Sequence, residues 1–419
     1  FDETLKNKWN SYRDPYYDMV KPILTTFDGI FVAEALPKCV LKLADLYWFK
    51  EPNKSIAPFH YLNIEQYYCL NKTAHMDYFP ASAYQTPIYW LLQFSPKETI
   101  DFILNFTNKC VECYVKSKFD KSIEEINLTI DDKTTVKQHI STELWNIYRR
   151  TGSSPNLLQS IHMALERYLL EQAKNINFGT LENLLLYLLK NSKSASITAV
   201  VTGIVLAYPD KTFNIAKILF QTKELFFYDK VRYSNDLIGA LAPLSSKPLG
   251  EILQKERIES NNLPHRKGDL ENLMVYYQIF RSEEISEEAE NRLKIIWEIL
   301  DKHYDNLPDK SQESEEDKTW RLFLARMDRR KPKPEIETKN GQIIITFNPK
   351  IEPELKQYSE ESIKRSEELM KYFTLKQWAI YKFENNEKYK EYKQYENNIQ
   401  RVIKETKNII KNLQNAVET

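Results

Sequence analysis

The stretch Ile197–Tyr208, ITAVVTGIVLAY, stopped by Pro209, decides the architecture. A helix over it is apolar on every side, so other chain must cover it on every side. It falls short of the ~20 apolar residues of a membrane span, and it carries Thr198, Thr202 and Gly203. It therefore reads as a helix covered on every side within a packed helical protein. Around it, Thr134 to Ser260 reads as helix after helix with almost no loop. Upstream, Ser154-Pro155 opens a helix with Leu157, Leu158, Ile161, Leu165, Tyr168 and Leu169 on one face, and Leu181–Leu189 reads as apolar nearly all round. Downstream, Ile215, Ile218 and Leu219, then Leu270, Leu273, Met274 and Tyr277, then Leu293, Ile296, Trp297 and Leu300 recur at helical spacing.

Composition supports this reading. Only 8 of 419 residues are Gly, against roughly 7% in ordinary proteins, so tight strand turns and phosphate-cradling loops lack raw material. Lys plus Arg and Asp plus Glu both total 59, which disfavours a dominant nucleic-acid surface because such surfaces carry a basic excess. Four cysteines, with Cys110 and Cys113 in one C-x-x-C and Cys39 and Cys69 apart, do not make a disulfide framework. The expectation is a reduced, cytoplasmic chain with no membrane association. The sequence opens at Phe1 without Met, the start expected of a piece of something longer.

The region to about residue 130 is aromatic-rich and broken by prolines from Pro15 to Pro87, which predicts short helices. Ser95-Pro96-Lys97-Glu98 has the residues of a helix start. Residues 131–330 read as a regular helical-repeat array, and residues 331–419 as a different region. There Glu335–Thr338, Asn340-Gly341 and Ile343–Phe347 predict a β-hairpin, followed by helices over Ser359–Phe373 and Leu375–Phe383. Tyr392, Tyr395, Ile399, Val402, Thr406, Ile409 and Leu413 then form a coiled-coil-like seam. Its partner is the preceding helix, another subunit or a neighbouring domain. The expected fold is all-α: an irregular HEAT-like α-solenoid with one small β-hairpin near 335–347 and a coiled-coil-like C-terminal helix.

No pattern announces chemistry. The glycines are isolated, so the P-loop and dinucleotide motifs are missing. The C-x-x-C lies within an amphipathic helix, where cysteine acts as a small apolar residue rather than a zinc ligand. No catalytic residue, cofactor site or metal site is assigned. Arg266, Arg321, Arg326, Arg329 and Arg330 are candidates for gripping phosphate or an acidic partner, against pairing with nearby acidic runs. Tyr78, Tyr84, Tyr89 and Trp90 are candidates for a protein-binding face, against burial in the core.

Several blocks together carry a resemblance: Phe79–Ser117, Gly152–Glu171, Lys190–Pro209, Leu263–Tyr277 and Thr319–Lys331 with the hairpin and Leu375–Phe383. The combination resembles the helical region downstream of the ATPase in large bacterial STAND-type (NACHT-like) NTPases, the AVAST antiviral proteins among them. The resemblance implies a non-catalytic sensor. It would bind a protein ligand, in the family often a viral protein, and self-associate in the full-length protein to control an upstream ATPase and effector. ATP and Mg are implied for that upstream part alone. A helical scaffold of a multiprotein assembly and a nucleic-acid-associated accessory module are the alternatives.

Overall fold

A computed structural model describes residues 15–25, 27, 29–50, 63–149, 154–239, 250–279, 287–330, 334–339, 342–347 and 351–417. These residues form two compact units, one ending at Asn306 and one beginning at Leu307. The aromatic-rich start and the helices after it belong to the same unit, so the division falls at neither 130 nor 330.

Among the described residues, the N-terminal unit opens with α1 (Pro15–Thr25), α2 (Gly29–Ala35) and α3 (Pro37–Trp48), then α4 (Ile88–Phe94) and α5 (Pro96–Ser117). Gly29 is required where α2 meets α1, because a Cβ there would lie 2.0 Å from the Ile23 carbonyl oxygen. Helix α5 starts where the sequence places it, although the Ser95 hydroxyl donates to Glu98 at 2.8 Å and makes no cap bond to the backbone.

Strands β1 (Glu124–Asp131) and β2 (Thr134–Ile140) follow as an antiparallel hairpin, where the sequence reading has helices from Thr134 onward. The strand signal is present: Ile126, Leu128 and Ile130 alternate and are buried. The turn hides it. Asp131 accepts from the Lys133 amide at 3.0 Å, an aspartate turn in place of the glycine that usually marks a hairpin. The hairpin docks through the His139 amide, which donates to the Lys193 carbonyl at 2.9 Å. Thr198 donates to the buried Gln138 at 2.6 Å.

Helices α6 (Asn156–Asn175), α7 (Phe178–Asn191), α8 (Ala195–Ala207), α9 (Phe213–Phe220), α10 (Lys223–Gly239), α11 (Gly250–Asn261), α12 (Leu270–Ile279) and α13 (Glu287–Asp305) complete the unit. Helix α8 holds the decisive stretch and is its centre. Every residue from Ala195 to Val205 is buried, and α6, α7, α9, α12, strand β2 and the single turns at Thr142–Trp145, Ile147–Arg149 and Pro264–Lys267 cover it. Each of its buried valine and isoleucine side chains contributes about 1.5–3 kcal/mol by burial. Its polar side chains find partners both within and beyond the helix: Thr202 donates to the Thr198 carbonyl at 2.9 Å, Ser194 caps the first turn, and Thr198 and Ser196 bond to Gln138 and His162. Helix α7, in contrast, buries only one face, with Phe178 and Tyr187 outside. Its reading as apolar all round is corrected, because the leucines alone do not show which side receives cover.

Cys69 and Cys113 form a disulfide, which corrects the reading of these cysteines as unpaired. Pairing across 44 residues is invisible to a spacing rule, since it depends on the short Ile64–Tyr67 helix lying against α5. Cys39 and Cys110 are free.

In the C-terminal unit, α14 (Glu315–Met327) opens with a Ser314–Asp317 capping box. Strands β3 (Pro334–Lys339) and β4 (Gln342–Phe347) pair antiparallel as expected, and the Asn340-Gly341 turn lies outside the described residues. Helix α15 (Pro353–Phe383) is continuous where two helices were expected. Helix α16 (Ile399–Val417) begins after Tyr392 and Tyr395, so those tyrosines reach the seam from separate turns. Part of the seam packs on α15: Val402 and Ile409 pack with Tyr389 and Tyr392 on Leu375, Trp378 and Tyr395, whereas Ile399 and Thr406 are exposed and the Leu413 side chain lies outside the described residues. The chain is thus an all-α helical array with β-hairpins. No helix among the described residues is long and apolar enough to cross a membrane.

Candidate functional site

The chemistry of the N-terminal unit is concentrated in a buried ionic network that links helices far apart in sequence. Helix α6 is buried nearly throughout, yet it carries Gln159, His162 and Glu166 at positions i, i+3 and i+7. Helix α10 carries Asp229, Arg232 and Asp236 at the same spacing. The turn Pro264–Lys267 brings His265 and Arg266, and the turn Ile147–Arg149 brings Tyr148 and Arg149.

Arg266 donates through Nη2 to Glu166 Oε2, and Glu166 Oε1 lies 3.6 Å from His265 Nε2. Burial pushes the Glu166 carboxyl up, but Arg266, His265 and Arg149 outweigh it and hold the group at about 2. Burial lowers the His265 pKa, and the neighbouring Arg266 and Arg149 add to this, against the pull of Glu166. Arg266 and Arg149 lie over the Tyr148 ring at 5.2 and 5.9 Å.

From Arg149 the network continues to Asp236 at 2.9 Å and to Asn261 at 3.1 Å. Arg232 donates to Asp229 at 2.8 Å, to Asp236 at 3.0 Å and to the Gly268 carbonyl at 2.6 Å. Asp229 also accepts the Leu270 amide at 2.8 Å, the first of α12. Lys230 completes this side on Asp269 and Glu271, at 2.8 and 3.1 Å. Ion pairs this deeply buried fix geometry more than they add net stability, because desolvation offsets most of the attraction.

A second arm reaches the loop before α4. Glu256 accepts from the Ser82 hydroxyl at 2.6 Å and the Ala83 amide at 3.1 Å, while Arg257 donates to the Ala81 carbonyl. His162 bridges α6 and α8: its Nδ1 lies 2.6 Å from the Leu158 carbonyl and its Nε2 3.1 Å from the Ser196 hydroxyl. Burial lowers its pKa to about 4, so the imidazole is neutral at pH 7.

The sequence-selected residues do not form one site. Arg266 is in the N-terminal unit and is buried at 3% exposure against Glu166, which corrects its reading as a surface phosphate contact. Arg321, Arg326, Arg329 and Arg330 are in the C-terminal unit. Arg321 pairs with Glu313, Arg330 makes a two-pronged bond to Asp328 at 2.9 Å on both arms, and Arg326 lies 4.7 Å over the Phe323 ring.

Of the aromatics, Tyr78 is fully buried and accepts from Trp48 Nε1 at 2.5 Å, so its reading as a binding residue is corrected. Tyr89 is also buried, and its hydroxyl donates to Glu171 at 2.8 Å. Tyr84 and Trp90 are half-buried and stacked at 5.8 Å, with the Arg167 guanidinium 4.7 Å over Tyr84. These rings cohere with one another first, because the proline-broken segment between Tyr78 and α4 folds them onto α6.

Sequence reasoning missed the network itself. A local signal existed in the polar residues spaced three and four apart within apolar helices, but it gains meaning only once both faces are known to be covered. No protein-family model and no curated protein matches the chain.

Proposed function

We propose that this chain is the non-catalytic recognition and regulatory region of a bacterial STAND-type antiviral ATPase. It would bind a protein trigger or sister subunits and so control an ATPase and effector carried elsewhere in the parent protein. The observation that carries the reading is where the resembling blocks meet. Ser82 from the first block, His162 and Glu166 from the second, Ser196 and Gly203 from the third, and His265 and Arg266 from the fourth come together around the buried network. Its charges neutralise one another, which holds the helices in register rather than aiming a group at a substrate. A framework of this kind suits recognition of a folded partner, for which shape and surface matter more than a reactive side chain.

ATP with Mg would be bound by the parent's ATPase part and not by this chain, and the working compartment would be the cytoplasm. The Cys69–Cys113 disulfide is a point of tension with that location, since such bonds are rare in reducing compartments. The test is the mass of the full-length protein with ATP and a panel of phage proteins. A ligand-dependent rise to an oligomer is expected. An unchanged mass under every condition counts against the switchable sensor and favours a passive helical scaffold.

A further inference from the structure

Helix α16 carries more apolar surface than α15 covers. Its inner flank, Val402 and Ile409, packs on Leu375, Trp378 and Tyr395. Ile399, Ile403 and Ile410 stand outside at 61%, 42% and 50% exposure. With Thr406 between them they run at spacings of four, three and four, the repeat that seats a second helix. At about 3.6 residues per turn, Lys407, Lys411 and Lys404 line the edge of this stripe away from α15. All three are exposed, and none joins an ion pair among the described residues. The acidic residue of the helix, Glu405, is engaged by Arg401 at 2.8 Å and by Tyr395 at 3.0 Å.

We infer that the outer stripe of α16 is a docking face for an amphipathic helix of another molecule whose apolar seam is edged by Asp or Glu. Charge decides between this occupant and a second copy of the chain. Two copies paired antiparallel would set one lysine row against the other. Paired parallel, each row would meet the partner's inner flank, which α15 already covers. An acidic edge neutralises the row in either direction, and apolar contact supplies the rest of the affinity. The inference concerns a different surface from the buried network and does not depend on the ATPase reading.

Two labelled peptides of about three heptads test it, both with leucine at the seam, one edged with Glu and one with Lys. Fluorescence anisotropy with the whole chain should show the Glu peptide binding at least about tenfold more tightly. The triple change Lys404→Glu, Lys407→Glu and Lys411→Glu should reverse that order. Ile403→Asp with Ile410→Asp should abolish binding of both peptides without altering the melting temperature, since these side chains are exposed. Equal affinity for both peptides, or an order unmoved by the charge reversal, overturns the proposal. So does a concentration-dependent dimer, or binding to phosphatidylserine vesicles, found with no binding of the Glu peptide.

Discussion

His162 shows how burial converts a common side chain into a stability switch. Its imidazole sits between the Leu158 carbonyl and Ser196 with no ion pair to a carboxylate among the described residues, and burial lowers its pKa from 6.5 to about 4. The unfolded chain therefore takes up this proton at a higher pH than the folded one. The stabilisation is fully present above pH 6.5 and is lost as the pH falls toward 4. On going from pH 7 to pH 4.5 the loss from this residue should be about 2–3 kcal/mol. Urea unfolding of the wild type and of His162→Gln at both pH values isolates it, because the glutamine chain lacks that step; parallel curves would show that the imidazole is not buried neutral. Glu166 behaves alike at lower pH, its contribution fading as the pH drops from 4.5 toward about 2. Neither property is legible in HMALE, the sequence from His162 to Glu166. Both arise from what α8 and the Pro264–Lys267 turn bring to them.

Among the elements, α8 was the most legible and its neighbourhood the least. A helix apolar all round must be covered all round, and the structure buries every residue from Ala195 to Val205. Its one glycine has a purpose the sequence does not disclose. A Cβ on Gly203 would lie 3.1 Å from Glu166 Oε1 and 4.0 Å from His265 Nε2, so the missing side chain makes room for the ionic pair. In an exposed helix Gly→Ala stabilises by about 1 kcal/mol. Here Gly203→Ala should instead cost about 1–3 kcal/mol by overpacking, and a raised melting temperature would sink that account. The two hairpins show the other limit. The one at Pro334–Phe347 was readable because Asn-Gly announces its turn, whereas the one at Glu124–Ile140 turns through Asp131 and Lys133 and passed for helix.

For the whole molecule the sequence conveyed the class but not the division. Composition and periodicity indicated helices, and helices are there; the boundary at Asn306/Leu307 has no proline run or low-complexity stretch to mark it. Two compact units predict two unfolding transitions in calorimetry. Arg266→Ala leaves Glu166 buried without its hydrogen-bonded counter-charge, a defect worth about 3–5 kcal/mol. It should lower one transition and leave the other in place. A single transition moved as a whole would mean that the units melt together. The double change Glu166→Leu with Arg266→Met should recover part of the loss, because it removes the stranded charge as well as its partner.

The span of that same pair sets a timetable for synthesis. Glu166 leaves the ribosome one hundred residues before Arg266, a wait of roughly 5–20 s at ordinary elongation rates. During that interval the nascent chain holds α8, the most apolar helix among the described residues, beside a carboxylate whose guanidinium has not yet been made. Chaperones that shield emerging apolar segments would find their longest dwell here, and a stop codon before Arg266 should yield a product that clumps rather than a smaller working domain.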